Sequence, residues 1–64
     1  MLESTFNELL RQAKAEREQL GRKGDVYALR EAFKRRAQRK LDELGGDQAE
    51  LDRFLRSLGD VLDI

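Results

Sequence analysis

Cysteine, histidine, proline and tryptophan are all absent from these 64 residues. Without cysteine there can be no disulfides, thiolate nucleophiles or thiolate zinc sites. Without histidine the commonest general base and metal ligand is missing. The lack of proline removes the strongest helix breaker and leaves punctuation to glycine. Nowhere do 18 apolar residues run together, and the stretch around Glu3 has no basic segment leading into an apolar one. Neither a membrane span nor a secretory leader is expected, and the cytoplasm is the default location.

Net charge is lacking as well, since 13 Lys and Arg balance 13 Asp and Glu. Any pull toward nucleic acid or an anionic membrane must therefore be local. What the chain does have is charge density. Asp, Glu, Lys and Arg make up 41% of residues, against about 25% in an ordinary domain. A single domain is the most that 64 residues allow. Burying ~60% of the extended surface stabilises by roughly 96 kcal/mol, and ordering the chain costs about the same. With so thin a margin and no covalent staple, burial of further surface in an assembly is favoured.

Leucine followed by glycine, with aspartate soon after, recurs at Leu20-Gly21 to Asp25, Leu44-Gly45 to Asp47 and Leu58-Gly59 to Asp60. Glycine suits the left-handed position that ends a helix, and aspartate suits the cap that starts the next. Thr5 with Glu8, and Asp47 with Glu50, have capping-box spacing. Between these signals the apolar residues recur with helical period. Leu2, Phe6, Leu9, Leu10, Ala13 and Leu20 share one side, as do Val26, Leu29, Phe33, Ala37, Leu41 and Leu44. A third arc, from Leu51 through Phe54 and Leu58 to Leu62, runs straight through Gly59, so that glycine is expected inside a helix.

These signals predict one all-α domain with helices at about 5–20, 25–44 and 47–62, folded as a small antiparallel three-helix bundle. The alternative is a helical hairpin completed by dimerisation. Phe6, Phe33 and Phe54 are the expected core anchors, one per helix.

Catalytic side chains are scarce. Ser4, Thr5, Ser57 and Tyr27 are the hydroxyls, none has an activating base at motif spacing, and neither glycine pair forms a phosphate loop. Asp42, Glu43, Asp47, Glu50 and Asp52 crowd the second turn, but match no cation loop, and two of them have capping roles. No enzyme activity, small-molecule substrate, cofactor or metal is expected.

Charge is segregated along the chain. Residues 1–21 carry 3 basic and 4 acidic side chains, residues 22–40 carry 8 and 2, and residues 41–64 carry 2 and 7. On the second helix, Arg35, Arg36 and Arg39 share the outer face with Ala28 and Ala32, and small residues there let another backbone approach. This face reads as a solvated surface, as a site for an acidic protein or sister helix, or as a phosphate-binding strip. In the simplest version the acidic third helix neutralises it, within the chain or across a dimer. Arg17 and Arg30 project into apolar arcs, where each either carries its head to water or a carboxylate, or marks the rim of a partner site. Tyr27 is the expected exposed aromatic contact.

The expected function is a non-enzymatic protein–protein interaction module of adaptor, inhibitor or co-chaperone type that self-associates, with Arg35, Arg36, Arg39, Tyr27, Ala28 and Ala32 at its interface. The alternative is a nucleic-acid-binding module using the basic face of the second helix, although that face lacks aromatics on which bases could stack.

Overall fold

A computed structural model of the chain describes residues 2–64. Three helices, α1 (Leu2–Leu20), α2 (Val26–Leu44) and α3 (Gln48–Leu62), pack so that every pair is in contact. The direction of packing follows from two contacts. The space beside Gly46, in the second turn, is occupied by Leu2 at the start of α1, and Arg17 near the end of α1 donates from Nε to the Leu62 carbonyl at the end of α3 (3.2 Å). Helices α1 and α3 therefore run parallel, with α2 antiparallel to both, as in an up-down-up bundle. The third helix closes the core within one chain, so the alternative of a hairpin completed by dimerisation is not adopted.

The core draws on all three helices: Phe6, Leu9 and Ala13 from α1, Phe33, Ala37 and Leu41 from α2, and Leu51, Phe54, Leu58 and Leu62 from α3. All three phenylalanines are buried, as expected, and the rings of Phe6 and Phe54 meet at 4.9 Å in a tilted pair. No polar or charged residue is buried among the described residues. The apolar stripes therefore set how the helices face one another in the core.

Both turns use the glycine–aspartate grammar. Gly21 and Gly45 adopt a φ of 73°, and Gly45 donates its N–H to the Leu41 carbonyl at 2.9 Å. Asp25 then caps α2, accepting from the N–H groups of Tyr27 and Ala28 at 3.1 Å each. Asp47 caps α3, accepting from Glu50 N at 3.1 Å. The expected interior glycine is present too, since α3 continues through Gly59 to Leu62.

Three details differ from expectation. The first helix starts at Leu2 rather than about residue 5, which puts Ser4 and Thr5 inside its first turn, so the Thr5–Glu8 box does not start the helix. Leu2 packs onto the core beside the second turn, and that contact extends the helix past its local signal. Only half of the Asp47–Glu50 box forms, because Glu50 Oε2 has no hydrogen-bond partner among the described residues. Leu44, read as part of the α2 stripe, is 48% exposed. Leu44 is the last residue of α2 before the chain turns at Gly45, and the stripe's last buried residue is Leu41.

Candidate protein interface

Helix α2 presents two flanks to its neighbours and a third side to solvent. At about 100° per residue, Ala28, Arg35 and Arg39 lie within about 40° of the point opposite the buried stripe. All three are exposed. Neither Arg35 nor Arg39 has an ion-pair partner among the described residues. Ala32 is half-buried at the edge of this strip.

Arg36 has a different environment. Its guanidinium lies 4.5 Å from the centre of the Phe33 ring and 3.5 Å from Glu16 Oε2 of α1. Both charged side chains are about half exposed, so this pair contributes little stability, about 0.2–1 kcal/mol. The stack on Phe33 still directs Arg36 toward α1 and away from the solvent-facing strip.

No ion pair joins α2 to α3 among the described residues. The acidic groups nearby are engaged locally. Asp47 caps its own helix, Asp42 accepts from Gln38 Nε2 at 3.1 Å, and Asp52 accepts from Gln48 Nε2 at 3.5 Å. Local bonds between residues three or four apart therefore take up carboxylates that wheel geometry alone would have assigned to the arginines.

Tyr27 does not join the arginine strip. It is 65% exposed and lines a notch of about 460 Å³ between α2 and α3, together with Arg30, Leu55, Arg56, Gly59, Asp60 and Ile64. The two arginines that projected into apolar arcs thus separate. Arg17 carries its charge to the C-terminal end of α3, where it satisfies a carbonyl and opposes the helix dipole. Arg30 stands at the rim of the notch. Sequence reasoning missed Leu55, Gly59 and Ile64 as surface features, and the available signal was the glycine inside an apolar arc.

A second groove of about 510 Å³ runs between α1 and α3, floored by Phe6, Leu10 and Phe54 and edged by Glu3, Asn7, Glu50, Arg53 and Ser57. Ser57 shares it with Glu50, but no hydrogen bond couples them. Among the described residues no helix is long and apolar enough to cross a membrane, and no group of three or more acidic residues is placed to hold a metal ion. No protein-family model, curated protein or solved structure matches the chain.

Proposed function

We propose that the chain is a non-enzymatic interaction module whose α2 outer face, built from Arg35 and Arg39 beside Ala28, binds an acidic protein surface. One observation carries this reading: two arginines stand exposed and unpaired on a face that the fold does not use, although acidic residues abound elsewhere in the molecule. Arginine is suited to bidentate contact with carboxylates, and the small Ala28 side chain lets a partner backbone come close. The reading keeps the cytoplasmic location expected from the sequence, and an adaptor, inhibitor or co-chaperone role fits it equally.

Nucleic acid is the competing ligand, because the same guanidinium groups fit phosphates. Fluorescence anisotropy with a labelled poly-glutamate peptide and with a labelled DNA duplex separates the two. The expected result is peptide binding that is lost in the Arg35→Glu/Arg39→Glu variant. Tighter binding of the duplex, lost in the same variant, transfers the function to nucleic acid. Failure to bind either ligand at low salt overturns both.

A further inference from the structure

Self-association needs a different face. A two-fold copy placed over Arg35 and Arg39 would set these arginines against their own equivalents, and like charges in close apposition repel. An isologous interface has to complement itself, so a charged patch must carry both signs.

The notch between α2 and α3 meets that condition. Arg30 and Arg56 supply positive charge and Asp60 negative charge around a single opening. Arg56 and Asp60 lie one turn apart on α3, yet make no ion pair with each other. Two of the three large hydrophobic side chains most exposed on the molecule, Tyr27 and Ile64, meet at this opening, with Leu55 half-buried beside them.

Gly59 provides the second observation. Glycine is the poorest helix former after proline, and its usual justifications do not hold here. Its φ is not positive, and a Cβ at this position would meet its nearest atom, the Ile64 carbonyl oxygen, at an ordinary 3.6 Å. The fold does not require the glycine, but its lack of a side chain keeps the notch open. The molecule also exposes 4748 Å², whereas a compact monomer of its mass exposes ~4,200 Å².

We propose that a second copy of this chain docks two-fold on this notch, with Tyr27, Leu55 and Ile64 packed across the axis over Gly59 and with Arg30 and Arg56 of each copy facing Asp60 of the other. This dimer uses a face separate from the acidic-partner strip, so the two proposals stand or fall independently.

Sedimentation equilibrium of the full chain across a concentration series reaching ~100 μM tests it. The expected result for the natural sequence is a monomer–dimer equilibrium. Gly59→Gln fills the notch with a good helix former and should weaken dimerisation about tenfold or more, while circular dichroism shows the helices intact. Arg56→Glu and Asp60→Arg should each weaken it, and the double variant should recover part of the loss, short of the natural sequence because Arg30 then faces a like charge. Arg35→Glu/Arg39→Glu should leave the dimer unchanged. A chain that stays monomeric at every concentration, a Gly59→Gln variant that dimerises like the natural sequence, or loss of the dimer in the Arg35/Arg39 variant overturns the proposal.

Discussion

The two turns of the bundle share their chemistry but differ in how deeply they sit. Each opens with a glycine at a φ of 73° that has open space around it, Gly21 in the first and Gly45 in the second. Each contains a second glycine with no room for a side chain, and each ends in an aspartate cap. At Gly24 the nearest atoms all belong to Leu20 of the preceding helix. At Gly46 they come from all three helices, from Leu2, Leu41 and Glu50. The first turn is folded over a single leucine of its own helix, whereas the second is wedged into the end of the core. Glycines that look alike in the sequence thus serve backbone geometry at one position and steric clearance at the other.

Substituting the crowded glycines should separate the turns most. Gly46→Ala forces three neighbours apart, including Leu41 in the core, and is expected to cost about 2–3 kcal/mol. Gly24→Ala displaces Leu20, which is half-buried at the end of α1 whereas Leu41 is part of the core, and should cost about half as much. Urea denaturation of the two variants measures the difference, and equal losses would mean that the second turn is no better packed than the first.

The positive-φ glycines should erase the distinction. Gly21→Ala and Gly45→Ala impose the same left-handed strain in open space, so each is expected to cost about 1–2 kcal/mol, with the two values close together. Parallel thermal melts test this, and a large gap would show that one turn relaxes its backbone. The smallest effects should come from the caps. Asp25 accepts two backbone bonds and Asp47 one, so Asp25→Ala is expected to cost about 1 kcal/mol and Asp47→Ala somewhat less. Chemical denaturation of both variants ranks them, and the reverse order would show that bond number does not set the value of these caps.

Much of the fold was legible in the sequence because its signals are local. The leucine–glycine–aspartate punctuation placed both ends of α2 and the start of α3 within a residue, the apolar arc through Gly59 placed the end of α3, and helical periodicity picked out the three phenylalanines. The start of α1 escaped because it depends on Leu2 meeting Gly46, a contact between residues far apart in the chain. For Leu44, wheel position could not reveal that the last helical residue, beside the turn at Gly45, lies past the end of the packed core. The exposed strip of Ala28, Arg35 and Arg39 was visible from periodicity, but the diversion of Arg36 by Glu16 and Phe33 was not. The notch at Tyr27 depends on which side of α2 faces α3, and a single-helix wheel holds no such information.

The bond from Arg17 to the Leu62 carbonyl spans 45 positions along the chain. The α1–α2 and α2–α3 hairpins each close through a short connection, at small loop entropy and at high speed. The seam between α1 and α3 has no such shortcut, because parallel neighbours can meet only after both hairpins have folded back. Assembly should therefore finish at this seam, and partial opening should begin there, leaving α2 as the axis on which the outer helices swing apart.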